Sequence, residues 1–319
     1  MPGKPLYSVS PLKSVIEGAR VYMIGEIAAL STACCWAVAA RLFRQLGASF
    51  SPLALNFWKG LVAILILLPL TWAMPMQAEL SQMDIFWLLL SGVIGIGLGD
   101  TCFFQSLNKI GDSQSLLVAE TLAPIFTALL AMAWIAEWLN WQQWLGIALV
   151  ILSVDMVIKL NRRDQTQIFE ATGYVYAALA ALCQAVGAVI SRDILTSTGI
   201  DAANASQIRL LGGMAIIVLL MLGMRQRWLP KTDNPRRTWM VFGAATLIGT
   251  FAALYLQMVA FTYTKAAVVQ TLFATSVILS LGIAWLLKER IHRQALLWSL
   301  LALVGVAILV GADSLSAAI

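Results

Sequence analysis

Two carboxylic acids, Asp100 and Glu120, stand within stretches of sequence that are otherwise almost entirely apolar. A carboxylate can bind an ammonium group, pair with a basic side chain or take up a proton. A charged aspartate at the centre of a bilayer costs at least about 3 kcal/mol, so it is expected to face a wet cavity, to be paired or to be protonated. We interpret both acids as candidate substrate-binding residues, and Glu120 also as a candidate for proton coupling.

The spacing of the two acids predicts that they lie at the same depth in the membrane. The chain must reverse near residues 109–111, and each acid is ten residues from Ile110. At 1.5 Å per helical residue, each lies about 15 Å from the turn, which is half of a hydrocarbon core of about 30 Å. A structural role stays open for both. Asp100 could bond a neighbouring backbone beside the glycines of "GVIGIGLG", residues 92–99, and a protonated Glu120 could bond a hydroxyl across the bundle.

The composition indicates a membrane protein. Of 319 residues, 60% are hydrophobic and 12% are charged, about half the charged fraction of a soluble domain. The net charge is +5, but the basic residues cluster between apolar runs, which suits anionic lipid and argues against nucleic acid. The cysteines lie inside apolar runs and the chain has one histidine, His292, so we expect no metal and no cofactor. We expect an integral, multi-pass protein of the cell membrane, a bacterial inner membrane being favoured, as a monomer or homodimer.

Ten stretches are long and apolar enough to be membrane-spanning helices. The sequence therefore predicts an all-α membrane protein with ten transmembrane helices. These begin near Met23, Leu53, Ile85, Asp112, Trp141, Ala171, Ala203, Trp239, Lys265 and Ala295.

A faint internal repeat divides the ten helices into two halves of five. "CWAVAARLFR" at 35–44 matches "CQAVGAVISR" at 183–192, and an offset of 152 pairs Gln105 with Gln257 and Glu137 with Glu289. Because five is odd, the second half must enter the membrane from the opposite side, as in many secondary transporters. The repeat also argues that the first helix is retained and is not a cleaved signal peptide. The expected organisation is an extension at 1–22, repeat 1 at 23–160, a linker at 161–170, repeat 2 at 171–312 and a tail at 313–319.

The two acids have no counterparts in the second half. Asp100 aligns with Ala252 and Glu120 with Leu272, so the fold itself does not require them. Glutamate occurs in both halves at Glu137 and its repeat partner Glu289, and we interpret these two as scaffold residues near helix ends.

Other polar residues at membrane depth are lesser candidates for lining a cavity. They are Trp36 and its repeat partner Gln184, Tyr255 and Thr262 seven apart on one helix, and Thr271 and Thr275 four apart on the next. Packing explains Trp36 equally well, and the hydroxyls can bond their own helices. For Lys59 and Arg209, which occupy matching places in helices two and seven, we favour snorkelling to the interface.

The sequence resembles the drug/metabolite transporter superfamily, in particular ten-helix transporters built from two EamA repeats. The resemblance covers about residues 24–312 and is carried by residues 99–154 with Pro124, Glu137 and Gly146, by "CCWAVAARLF" followed by Pro52, and by residues 286–309 with Glu289 and Gly305. It implies an alternating-access carrier of small organic metabolites, with export favoured and a site between helices 1, 3, 4, 6, 8 and 9. The acids favour an amine-bearing or amino-acid-like solute. Ser276 replaces the proline that would match Pro124.

The orientation in the membrane is left open by the sequence. The resemblance implies cytoplasmic termini. Most of the Lys and Arg residues, however, fall in the loops on the other side, which by the positive-inside rule places the termini outside.

Functions of other classes are weaker alternatives. "GLGD" at 97–100 resembles the motif of intramembrane aspartyl proteases, but that chemistry needs a second aspartate at similar depth, and Asp155 lies near a helix end. A channel would need a filter loop, which the sequence does not resemble. A membrane scaffold without transport activity is the remaining alternative.

Overall fold

The structure is a computed structural model that describes residues 11–73, 78–161, 170–286, 288 and 293–316. Within these ranges the chain forms helices and turns and no β-strand. Most of the expected linker, Glu289 and His292 lie outside the described residues. The predicted all-α fold is confirmed.

Seven long apolar helices and three shorter ones make the ten predicted spans. The elements are α1 (Pro11–Leu46), α2 (Pro52–Ala73), α3 (Gln82–Gly92), the π-helical segment π1 (Val93–Gly99), α4 (Asp100–Trp134), α5 (Trp141–Asn161), α6 (Ala171–Thr198), α7 (Ala202–Gly223), α8 (Pro235–Thr246), a second π-helical segment π2 (Leu247–Ala252), α9 (Ala253–Tyr263), α10 (Ala266–Ala274), α11 (Ser276–Leu286) and α12 (Arg293–Ser316). The third span comprises α3, π1 and a first arm of α4 that ends at Ile110; the fourth is the second arm of α4, Val118–Trp134. The eighth comprises α8, π2 and α9, and the ninth comprises α10 and α11.

The chain reverses direction inside α4. The hydroxyl oxygens of Ser106 and Ser115 are 2.6 Å apart, whereas nine residues of straight helix would separate them by about 13 Å. The reversal therefore lies between these serines, in agreement with the turn predicted near residues 109–111. It brings the arm that carries Asp100 alongside the arm that carries Glu120.

The two π-helical segments occupy equivalent positions in the two halves. π1 directly precedes Asp100, and the repeat offset of 152 residues maps π2 onto residues 95–100. A π-helix loosens the backbone hydrogen-bond ladder and is frequent at functional sites. Asn56 of α2, which is fully buried, donates from Nδ2 to the carbonyl oxygen of Ile96 at 2.9 Å and so compensates part of π1. Both halves are therefore locally widened at matching places.

Helices α3 and α7 cross in direct backbone contact because each carries a glycine at the crossing. A Cβ on Gly92 would lie 1.8 Å from the carbonyl oxygen of Arg209, and one on Gly212 would lie 2.1 Å from that of Leu89. The close approach lets Nε of Arg209 donate to Oγ of Ser91 at 3.1 Å. The helix crossing therefore positions the backbone of Arg209, whose side chain is buried.

Alanine at this crossing is expected to destabilise the fold. Gly92→Ala and Gly212→Ala should each lower the free energy of unfolding by about 1–3 kcal/mol, because the helices must separate to admit a methyl group. Gly243→Ala in α8 is the matched control, since its Cβ would meet no atom within 4 Å and alanine favours a helix over glycine by up to about 1 kcal/mol. Unfolding in detergent measures the difference. Equal stabilities for Gly92→Ala and Gly243→Ala would contradict the crossing.

The ninth span is interrupted at Thr275, between α10 and α11. The Thr275 hydroxyl donates to the carbonyl oxygen of Leu272 at 2.5 Å, and its backbone N–H donates to the same oxygen at 3.2 Å. Pro124, which aligns with Ser276, lies within the second arm of α4, and the helix continues past it to Trp134. The interruption thus occurs in the half that lacks the proline, where a hydroxyl competes for the backbone carbonyl.

Candidate functional site

Asp100 and Glu120 line one small cavity between the two halves. Its volume is about 30 Å³, and its walls include Trp36, Gln184 and Gln270. The first half supplies both acids and the tryptophan, and α6 and α10 of the second half supply the two glutamines. The two acids, which the sequence predicts at one depth, therefore meet at one cavity.

A second cavity of about 60 Å³ lies beside the first, between π1 and π2. Its walls include Lys59 of α2 and Arg209 of α7, and Ile96 and Thr250 from the two π-helical segments. It shares wall residues with the first cavity, and we call the two spaces together the inner cavity. The shared residues are Trp36, Asp100, Gln184 and Phe273.

Lys59 and Asp100 form a buried ion pair at the inner cavity. The ammonium group donates to Oδ2 of Asp100, and the two side chains are 4% and 17% exposed. The same ammonium lies 5.3 Å from the ring centroid of Phe104, where a cation is also stabilised. Asp100 is therefore paired with a basic side chain, which is one of the three states expected for a carboxylate in the membrane.

Arg209 is the second basic residue of the inner cavity and is 3% exposed. Besides its bond to Ser91, its Nη1 lies 3.3 Å from the sulfur of Met258. No acidic side chain forms a salt bridge with it in the described part of the chain. The prediction that Lys59 and Arg209 snorkel to the interface is therefore wrong. Both turn inward, because the cavity offers a carboxylate to one and polar contacts to the other.

Glu120 is 7% exposed and has neither a hydrogen bond nor an ion pair with any described residue. A buried polar group without a hydrogen bond costs free energy unless water or a ligand satisfies it. Two more polar groups of the inner cavity, Nε2 of Gln270 and Oγ1 of Thr250, are buried without a described hydrogen-bond partner. Three residues that line the inner cavity, Glu120, Gln270 and Thr250, therefore have polar groups without a described partner.

A much larger space of about 550 Å³, which we call the vestibule, leads towards the inner cavity. Trp36 and Phe103 line both spaces, and the Trp36 ring lies 6.1 Å from the ring of Phe273. Arg41 and Arg44 stand near the end of α1 in the vestibule wall. We call this side of the bundle the vestibule face, and the side where α1 begins the termini face. Aromatic side chains thus separate the vestibule from the buried charges.

The structure brings Trp36 and Gln184 together with the acids but not the four hydroxyl candidates. Tyr255, Thr262, Thr271 and Thr275 line neither the inner cavity nor the vestibule. The three threonine hydroxyls donate to carbonyl oxygens of preceding residues, at 2.5–3.0 Å, and Tyr255 is 37% exposed.

Sequence reasoning missed Gln270 and Thr250 as cavity residues and placed Lys59 and Arg209 elsewhere. A glutamine in the apolar run of α10 is the signal that could have identified Gln270. Thr250 gave no such signal, because a threonine hydroxyl can bond its own helix.

The arrangement does not form a pair of aspartates. Asp100 is bonded to Lys59, and Oδ2 of Asp155 accepts from Nζ of Lys159 at 2.6 Å. An aspartyl protease needs two carboxyls that share a proton, so "GLGD" is here part of a helix crossing and an ion pair. In the described ranges no group of three or more His, Cys, Asp or Glu residues could hold a metal ion.

Comparison with known proteins identifies the family. A model of the EamA-like transporter family matches residues 23–159 and 171–311. The chain belongs to the EamA-like transporter family. The resemblance noted in the sequence is confirmed, and the two matched regions of this EamA member are its two five-helix halves. With ten apolar spans it is an integral, multi-pass membrane protein.

Two similar proteins carry no assigned substrate in their names. An uncharacterized transporter of Archaeoglobus fulgidus is 25% identical over 54% of this chain and 60% of its own length. The uncharacterized transporter YwfM of Bacillus subtilis is 28% identical over 46% of this chain and 49% of its own length. The matches thus span only about half to three fifths of these relatives. A crystal structure that covers 89% of this chain and 95% of its own matches with a TM-score of 0.71 at 16% identity, which supports the fold.

Proposed function

We propose that this protein is a secondary-active carrier that exports a small zwitterionic, amino-acid-like solute by alternating access. The observation that carries the proposal is an inner cavity between the inverted halves that holds buried charges of both signs. Secondary transporters built from inverted repeats bind their substrates at this place, near the middle of the membrane.

The charges of the inner cavity favour a zwitterion over a simple amine. Lys59 already compensates Asp100, so this acid gives an ammonium group less than an unpaired carboxylate would. Arg209 has no described acidic partner and can bind a solute carboxylate, for which its guanidinium geometry is suited. Glu120, without a described partner, can accept the ammonium group. Gln270 adds a donor beside it.

The solute reaches this site through the vestibule. The inner cavity, at about 60 and 30 Å³, can hold water molecules but is far smaller than typical ligand pockets of about 300–1,000 Å³. The vestibule, at about 550 Å³, falls within that range. For the solute to enter, the inner cavity must enlarge, and Trp36 and Phe103, which line both spaces, must move aside.

The charge distribution supports export. Among the described residues, most of the basic ones lie at the vestibule face, which the positive-inside rule assigns to the cytoplasm. A vestibule open to the cytoplasm loads solute from inside the cell. This orientation puts both termini outside, opposite to the arrangement that the family resemblance implies. The basic residues of the loop after α7 alone are Arg225, Arg227, Lys231, Arg236 and Arg237.

A thermal-shift screen of amino acids, amines, carboxylic acids, nucleosides and sugar phosphates identifies a ligand for transport assays. We expect a zwitterion to stabilise the protein and to be taken up by inside-out vesicles. Its decarboxylated amine and its deaminated acid should each bind at least about tenfold more weakly, because each loses one charge-assisted contact. An amine that binds as tightly as the zwitterion would show that Arg209 does not bind the carboxylate of the solute.

Solute flux that is unchanged by an imposed pH gradient would show that Glu120 does not couple transport to protons.

A further inference from the structure

A polar network joins the two halves on the termini face, opposite the vestibule. Oε1 of Glu137 accepts from Nε of Arg192 at 2.7 Å, and Oε2 accepts the backbone N–H of Ala266 at 3.0 Å. Nη1 of Arg192 donates to the carbonyl oxygens of Phe261 and Thr262 at 2.6 and 2.9 Å. One carboxylate and one guanidinium thus tie the turn after α4 to α6, to the end of α9 and to the start of α10.

Further contacts on this face also cross from one half to the other. Nζ of Lys265 donates to the carbonyl oxygen of Trp138 at 2.8 Å and to Oε1 of Gln143 at 3.1 Å. The indole N–H of Trp134 donates to Oδ2 of Asp193 at 3.3 Å. The termini face is therefore closed by bonds between the halves. The vestibule face also has such bonds, from Trp58 Nε1 to the carbonyl oxygen of Trp228 and from the Lys231 N–H to the carbonyl oxygen of Ser49, but it holds a cavity of about 550 Å³.

The backbone at the end of α4 aims Glu137 at this network. Ala136 adopts a left-handed φ of +52°, and the N–H groups of Ile135 and Glu137 both donate to the carbonyl oxygen of Ala131. Helices commonly end in this way, but the left-handed residue is usually glycine. An alanine there is held at some cost in backbone energy. The bonds of the Glu137 carboxylate to the second half help to hold this conformation.

The Glu137–Arg192 pair is better shielded than the ion pairs at the surface. Both side chains are 14% exposed, against 32% and 49% for Lys109 and Glu170 at the vestibule face. Charge-assisted bonds in a partly dry site are stronger than exposed ones, which contribute little. The Glu137 carboxylate of the pair also caps α10 at its N-terminus, where a carboxylate is favoured by the helix dipole.

Two arginines at equivalent positions of the inverted repeat lie in different surroundings on the two faces. Arg192 aligns with Arg44 of the first half. Arg192 lies in the closed network, whereas Arg44 lines the vestibule. In a carrier built of inverted halves, the two faces are expected to exchange these environments as the accessible side alternates.

We infer that the Glu137–Arg192 network is a lock that holds the termini face closed while the vestibule is open. Glu137 is thus more than the scaffold residue expected from the sequence. The inference rests on the proposed alternating-access carrier. Weakening the lock shifts the equilibrium towards the state that is open on the termini face and closed at the vestibule.

Distances between spin labels test the lock without any solute. One label pair, at Trp138 and Ser197, spans the termini face; the other, at Gln45 and Leu286, spans the vestibule face. The lock variants are Glu137→Gln, which removes the charge, and Arg192→Lys, which keeps the charge and loses the planar fork. Glu170→Gln is the matched control, because it makes the same change in an exposed pair. The four native cysteines are first replaced by alanine: Cys34, Cys35, Cys102 and Cys183.

Both lock variants should show longer distances at the termini face and shorter ones at the vestibule face. We expect the ratio of the two states to change by about tenfold or more, as for the loss of one charge-assisted bond, and Glu170→Gln to match the parent. Distance distributions of both lock variants that superimpose on those of the parent would overturn the lock. If the distances shift but no solute is carried, the lock stands and the proposed function fails.

Discussion

Asp100→Asn is expected to lower the free energy of unfolding by about 3–5 kcal/mol, the largest loss of stability that we predict for a single substitution. The substitution removes the counter-charge of Lys59, whose side chain is only 4% exposed. A buried ammonium without its carboxylate loses far more than the pair itself contributes, because its desolvation is no longer compensated. Reversible unfolding in mixed micelles measures the loss.

A double substitution distinguishes the loss of the counter-charge from other effects of changing Asp100. Lys59→Met together with Asp100→Asn removes both charges, and most of the lost stability should return. Asp155→Asn is the control, since it breaks an exposed pair with Lys159 and should change stability by at most about 0.5 kcal/mol. If Asp100→Asn costs no more than Asp155→Asn, the two charges are not shielded from solvent and the electrostatic description of the inner cavity is wrong.

Glu120→Gln is expected to reduce solute flux by about 10- to 100-fold while the stability of the fold changes by less than about 1 kcal/mol. Glutamine has the same shape but can neither carry a negative charge nor release a proton. The fold loses no described contact, because Glu120 makes none, whereas the solute loses one charge-assisted bond in the cavity.

Counterflow in proteoliposomes measures this effect at equal protein content. Glu170→Gln is the matched control and should transport like the parent, since Glu170 bonds Lys109 at the surface. A Glu120→Gln protein that is folded and transports normally would show that the solute does not use this carboxyl group. A Glu120→Gln protein that unfolds would instead assign it a structural role.

The sequence alone was sufficient to identify the two acids as candidate site residues. A carboxylate in an apolar run is costly wherever the helix lies, so Asp100 and Glu120 stand out without any knowledge of packing. Their common depth followed from counting residues on either side of one turn. The bond between Ser106 and Ser115 shows that the turn is where the count required it.

The partners of the acids could not be read from the sequence. Whether Lys59 snorkels outward or turns inward depends on the rotation of α2 about its axis, which spacing along one helix does not fix. Arg209 reaches the cavity only because Gly92 and Gly212 let α3 and α7 cross in contact, a property of two helices at once. For the same reason Thr271 and Thr275 share a helix face but bond their own backbone, away from the cavity.

The π-helical segments are a further feature that periodicity did not reveal. The glycines around π1 indicated close helix packing, and the structure shows that packing at Gly92 and Gly97. The same residues also loosen the helix beside Asp100, and π2 does so at the equivalent place in the second half. Neither effect could be predicted, because both depend on the hydrogen bonds of the folded backbone.

The position of a bound solute tests the central claim most directly. A cryo-electron microscopy structure with the solute from the thermal-shift screen should show it between the halves, in contact with Glu120 and Arg209, with the Trp36 ring displaced and the inner cavity enlarged. Solute density elsewhere, with the inner cavity still at about its present 60 and 30 Å³, would contradict the account.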